Sequence, residues 1–252
     1  SLAAWYPLDD AEDKAKDFSG KGCHGTAADS VTFSRESGAT FNGGKGLQNC
    51  IKLPAESLER LNVTDNMTFS FWAKDERGTK SNAFGIGSGD AFGSNGCVSG
   101  NNKDAQFFYV NTCDNNELYS SVNTKYWSSP STIKTTAPAK DEWHHITSVI
   151  SGKTLTLYVD GVKQGETIAT QATLTEIWNQ DPQTRGMYIG NCSYGTQPEA
   201  KADADYKGSI RDVRVYNASL APAQIEAAYQ YKDEVLPMKY AKDDLIGTLG
   251  AR

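Results

Sequence analysis

The chain has 252 residues, 38% hydrophobic and 22% charged, with a formal net charge of −6 and a pI near 5.2. That composition is enough to bury a real core and excludes a disordered chain, while the negative charge disfavours nucleic acid and anionic membrane surfaces, which recruit clustered Lys and Arg. No apolar run approaches the roughly 18 residues of a membrane span, and no basic region followed by an apolar stretch opens the chain, so a secretion signal is expected to have been removed.

Taken in chain order, the first strand-like segment is Ala4, Trp5, Tyr6, Pro7 and Leu8, followed by short strands around residues 31–33, 39–41 and 50–53. Phe69, Phe71 and Ala73 then alternate with Ser70, Trp72 and Lys74, the period-2 pattern of a half-buried antiparallel strand. Residues 75–141 are long, rich in Asn, Ser and Gly, and read as an extended connection. A strand over 145–150 precedes Leu155, Leu157 and Val159, which alternate with Thr156 and Tyr158 and end at Asp160 and Gly161. Asp-Gly between alternating segments predicts a tight hairpin. Strands over 187–189 and 209–216 follow.

One helix is predicted, with Pro222 at its first position, Gln224 at its third and Leu220 packing on Ile225 as a hydrophobic staple, running to about Tyr231. Residues 232–252 are charged and weakly patterned, a linker or the opening of a following domain, so residues 1–231 form the single expected domain. Many short strands separated by Gly, Asn and Asp clusters define an all-β fold, a two-sheet antiparallel β-sandwich with one short C-terminal helix.

The five cysteines show no CxxC spacing for zinc or redox chemistry. Cys97 and Cys113 flank a hairpin-like stretch, and a disulfide there would constrain the unfolded chain by about 3 kcal/mol in the chain-entropy model. Cys23 with Cys50 is the second candidate pair, leaving Cys192 odd; the alternative is that several are small buried thiols.

Several stretches together resemble the bacterial laminin G-like domains with a concanavalin A-like jelly roll. They are Tyr6, Pro7, Leu8, Asp9 and Asp10; residues 17–26; Phe41, Asn42 and Gly43; residues 51–54 and 67–74; Glu142, Trp143, His144, His145 and Ile146; residues 154–165 and 187–190; and residues 206–217 with the helix after them. These segments occur in the family's order across residues 5–229, and the departure lies between Asp75 and Asp141. The resemblance implies a binding or accessory domain appended to secreted bacterial glycoside hydrolases or adhesins.

It also implies a structural calcium ion, at positions matching Asp9, Asn42 and Asp212, with Asp10 and Asp17 as substitutes. Calcium takes six to eight oxygens. Asp212 alternates against Val213 and Val215 in a good strand, an expensive place for an unpaired carboxylate; the alternative neutralisers are Arg211, Arg214 or a backbone amide.

Sugar rings stack their C–H faces on aromatic side chains while their hydroxyls need polar partners. Tyr126 with Trp127, and Trp178, sit in polar, loop-like sequence and are the expected platforms, with Arg185, Asn191 and Tyr194 as the polar edge. Trp72 and Trp143 lie in strand motifs and are assigned to packing. Glycoside hydrolysis needs two carboxylates across the bond, and no strand carries such a pair. Asp203 and Asp205 alternate within a solvated-looking loop, and His24, His144 and His145 adjoin no nucleophile motif.

The resulting expectation is a non-catalytic carbohydrate-binding module, secreted or displayed on a bacterial cell surface and tethered to a glycoside hydrolase. Its partner is a glycan, with no nucleic acid and no membrane insertion. An adhesin or structural protein-interaction domain is the alternative, and a glycosidase in its own right comes last.

Overall fold

The structure, a computed structural model, describes residues 2–44, 49–77, 81–88, 106–114, 116–123, 131–168, 172–180, 182, 185–190 and 206–230. Its strands are β1 (Leu2–Tyr6), β2 (Thr26–Ala27), β3 (Thr32–Ser34), β4 (Gly38–Asn42), β5 (Ile51–Leu53), β6 (Asn66–Asp75), β7 (Asn82–Ser88) and β8 (Gln106–Asp114). They continue with β9 (Glu117–Asn123), β10 (Ser131–Thr136), β11 (Trp143–Ser151), β12 (Thr154–Val159), β13 (Val162–Ile168), β14 (Gly186–Ile189) and β15 (Lys207–Tyr216). Three helices are described: α1 (Ser57–Arg60), α2 (Leu174–Asn179) and α3 (Pro222–Gln230).

The first sheet runs β13-β12-β11-β6-β15-β4-β3, with β1 also paired to β15; the second runs β10-β9-β8-β7-β14-β5-β2. The expected two-sheet antiparallel sandwich is therefore present. Alternation builds the core between the layers. Met67, Phe69, Phe71 and Ala73 of β6 face Phe84 and Ile86 of β7, Phe108 and Val110 of β8, and Leu118 and Val122 of β9, all buried. The Phe69 and Phe84 rings stack at 4.1 Å across the layers, a contact worth about 0.5–1.5 kcal/mol beyond its area.

Residues 75–141 are not one long connection. They contribute β7, β8, β9 and β10, four neighbours in the second sheet. Phe84 and Ile86 alternate with Gly85 and Gly87 there, so these two glycines mark strand positions without side chains rather than loop.

The Asp160-Gly161 hairpin forms as expected between β12 and β13, with Val159 opposite Val162. Both turn residues have positive φ, 49° and 77°, the type I′ signature that favours Asp-Gly. The predicted helix also forms: Gln224 Oε1 accepts from the Ala221 N–H, and Leu220 packs beside Ile225, Val149 and Tyr158. The candidate Cys23–Cys50 disulfide is absent: neither cysteine is disulfide-bonded, and both thiols are buried. Cys23 Sγ instead meets Ser57 Oγ at 3.5 Å. Cys97 and Cys192, the side chain of Cys113 and residues 232–252 lie outside what is described.

Candidate functional site

Continuing the inward parity of three strands one step past their apolar residues reaches one end of the sandwich. On β6 the inward row passes from Phe71 and Ala73 to Asp75, on β8 from Val110 to Thr112, and on β11 from Ile146 back to His144. These three polar residues line an open recess with Ala73, Ile146, Glu142, Pro138 and Ala139, about 230 Å³ counting the solvent at its mouth.

Each wall is held by hydrogen bonds. Asp75 Oδ2 accepts from Thr112 Oγ1 at 2.7 Å and Oδ1 from the Arg77 N–H at 2.8 Å, while the Asp141 N–H donates to the Asp75 carbonyl and ties the link after β10 to β6. His144 Nδ1 lies 2.7 Å from Asp160 Oδ2, and Asp160 Oδ1 accepts from the His145 N–H at 2.8 Å. A carboxylate only accepts, so Nδ1 carries a proton and donates it to Asp160. His144 Nε2 has no hydrogen-bond partner, and Glu142 Oε2 is 3.7 Å away. The recess thus offers acceptors around a small apolar floor of Ala73, Ile146, Pro138 and Ala139.

Of the residues expected to contact sugar, Tyr126, Trp127, Asn191 and Tyr194 lie outside the described residues. Trp178 and Arg185 are brought together, but as packing. Trp178 is on α2, not a loop, and is 1% exposed, so its face is closed to a ring. Its Nε1 donates to Glu59 of α1 at 3.2 Å, and Arg185 lies 5.1 Å over the indole while pairing with Glu59 at 2.8 Å. The signal that would have placed Trp178 on a helix is Thr173-x-x-Glu176, which forms a reciprocal capping box.

The expected calcium ligands do not form one set. Asp212, at a β-bulge with φ of 50°, accepts from Trp5 Nε1 at 2.8 Å and Arg214 Nε at 2.9 Å, so the arginine alternative neutralises it. Asn42 lies opposite Lys207, five residues before Asp212 on β15, roughly 16 Å away along the strand, and its Oδ1 accepts from the Gly44 N–H. Asp9 is buried. Asp17 is taken up by donors from Trp5, Ser19 and Cys23, which makes the turn after it a structural knot. Asp10 Oδ1 accepts from the Glu12 and Asp13 N–H groups. Among the described residues no group of three His, Cys, Asp or Glu side chains could hold a metal ion.

Trp72 and Trp143 pack on the outer face of the first sheet, as assigned. Trp72 lies against His145 and Tyr229, and Trp143 lies beneath Arg211 and Lys74. No helix among the described residues is long and apolar enough to cross a membrane.

Two antiparallel sheets closed over one core, with a polar recess at one end, define a lectin-type jelly roll. The profile of the concanavalin A-like lectin/glucanases superfamily, a laminin G profile, matches residues 42–226, and the chain belongs to that superfamily. No curated protein sequence matches it.

Among solved structures, domain 4 of AbnA, a GH43 extracellular arabinanase from Geobacillus stearothermophilus in complex with arabinotriose, aligns with TM-score 0.65 and 18% identity, over 90% of this chain and 97% of that one. The botulinum neurotoxin type G receptor binding domain aligns with TM-score 0.60 and 13% identity, over 92% of this chain and 51% of that one. A serotype D binding domain in complex with N-acetylneuraminic acid gives TM-score 0.60 and 14% identity, again over 92% of this chain and 51% of that one. At these identities the likeness is one of fold.

Proposed function

We propose that this chain is a non-catalytic carbohydrate-binding domain of a secreted or cell-surface bacterial protein, tethered there to a glycoside hydrolase. The observation that carries the reading is the end recess, where Asp75, Thr112, His144 and Glu142 surround a floor of Ala73, Ile146, Pro138 and Ala139. Fixed polar groups around a small apolar floor suit the hydroxyls and C–H face of a sugar. The arabinanase domain solved with arabinotriose supports this reading, as does the toxin domain solved with N-acetylneuraminic acid. Tethering such a domain raises the effective concentration of a polysaccharide at the catalytic site without new catalytic residues.

The test is a glycan array followed by calorimetric titration, with and without calcium, and a product-release assay on each glycan bound. Saturable binding without product release is the expected outcome. Release of product by the chain alone would replace this reading with a glycosidase, and silence from the folded chain on every glycan would turn it towards protein binding. A calcium requirement would call for oxygen donors other than Asp212 with Asn42, which the fold holds apart.

A further inference from the structure

We infer that the recess contacts a sugar bearing no negative charge, and that it rejects acidic sugars. The inference rests on the glycan-binding reading above and goes further by fixing the ligand's chemistry.

Among the described residues, Asp75 and Glu142 line the recess directly, and no Lys or Arg is among the lining residues. Asp160 stands immediately behind His144 at 2.7 Å. Among the described residues, Lys74 and Arg211 lie over Trp143 on the outer face of the sheet, and Arg77 reaches the Gly43 carbonyl. Lys140 is exposed in the link beside the recess, next to the equally exposed Asp141.

The hydrogen-bonding capacity is just as one-sided. Thr112 Oγ1 points its only proton to Asp75 or to the Ser81 carbonyl, so towards a ligand it can only accept. Asp75 and Glu142 are acceptor-only. A ligand must therefore supply donors, as sugar hydroxyls do. A carboxylated sugar brings acceptors and a negative charge to a site already carrying both, an arrangement that acts as a specificity filter.

The experiment is titration of the folded chain with arabinotriose and other neutral oligosaccharides, set against trigalacturonate and sialyllactose. It is repeated with Glu142→Lys and His144→Ala, each checked for folding by circular dichroism. Glu142 has a side chain 66% exposed, so its charge reversal is compatible with the fold.

The expected result is binding of at least one neutral oligosaccharide, with acidic ones weaker by about tenfold or more. Glu142→Lys should weaken the neutral ligand and narrow that gap, and His144→Ala should weaken the neutral ligand. Acidic sugars binding as well as neutral ones would overturn the inference and leave the glycan-binding reading standing. So would neutral binding that neither folded variant alters, since the sugar would then sit elsewhere. Failure of every oligosaccharide to bind the folded chain would remove the glycan-binding reading itself, and the inference with it.

Discussion

His145, next in chain to the recess histidine, faces the opposite way, and alternation gives the pair opposite fates. His145 is 3% exposed, packed on Trp72 and Tyr229, and burial moves its pKa down from 6.5 to about 4, with Arg214 pushing the same way and Asp212 and Asp160 opposing it. Because the unfolded chain takes up this proton near pH 6.5 and the folded chain only near pH 4, the group's contribution is complete above the unfolded value and lost as pH falls through that window. The loss across the window totals about 3 kcal/mol, at roughly 1.4 kcal/mol for each pH unit between the two values. Urea unfolding of the parent and of His145→Phe at pH 7.5 and 4.5 should show a smaller acid-induced loss in the variant, the carboxylates being common to both. Equal losses would mean that the imidazole titrates normally in the fold.

At the scale of elements, the outer face of β6 and β11 is less well matched than the core. Ser70 lies opposite Thr147, and Trp72 opposite His145; all four are buried, and Ser70 Oγ, Thr147 Oγ1, Trp72 Nε1 and His145 Nδ1 have no hydrogen-bond partner. Helix α3 crosses this face, with Ile225 on Val149 and Tyr158 and, one turn on, Tyr229 on Trp72. A buried unpaired hydroxyl costs about 1–3 kcal/mol, so Thr147→Val, which keeps the shape, should raise stability by about 1 kcal/mol in chemical unfolding; a drop of that size would show that the hydroxyl is paired in solution. The tie between α1 and α2 is the opposite case. Glu59→Ala strips the partner from both Trp178 Nε1 and Arg185 and should cost about 1–3 kcal/mol, with sugar affinity in the recess unchanged. Helix α3 was readable because its Pro222, Gln224 and Leu220 signals are local, and α2 carried an equally local capping box that the polar sequence around Trp178 obscured. Strands β7 to β10 were harder: with Gly85 and Gly87 alternating against Phe84 and Ile86, two of the seven positions of β7 have no side chain to show a period.

On the scale of the whole molecule, the sandwich could be read from a series of short alternating segments because each strand shows its buried face within itself. The recess could not. Asp75 and Thr112 are 37 residues apart in sequence and His144 meets Asp160 only through the pairing of β11 with β12, so cross-strand register, which composition does not encode, decides which polar residues converge. The charge of the molecule supplies the last expectation. A net −6 acts on a charged ligand but has no first-order hold on a neutral one, and salt screens exposed charges over a Debye length of about 10 Å at 0.1 M and 3 Å at 1 M. Affinity for a neutral oligosaccharide should therefore stay within about twofold between 50 mM and 500 mM NaCl, whereas the weak binding of an acidic one should strengthen as its repulsion from Asp75, Glu142 and Asp160 is screened. Calorimetric titrations at the two salt concentrations measure both slopes. A neutral ligand whose affinity fell steeply with salt, or an acidic one weakened by it, would place the attraction on a cationic surface and not in this recess.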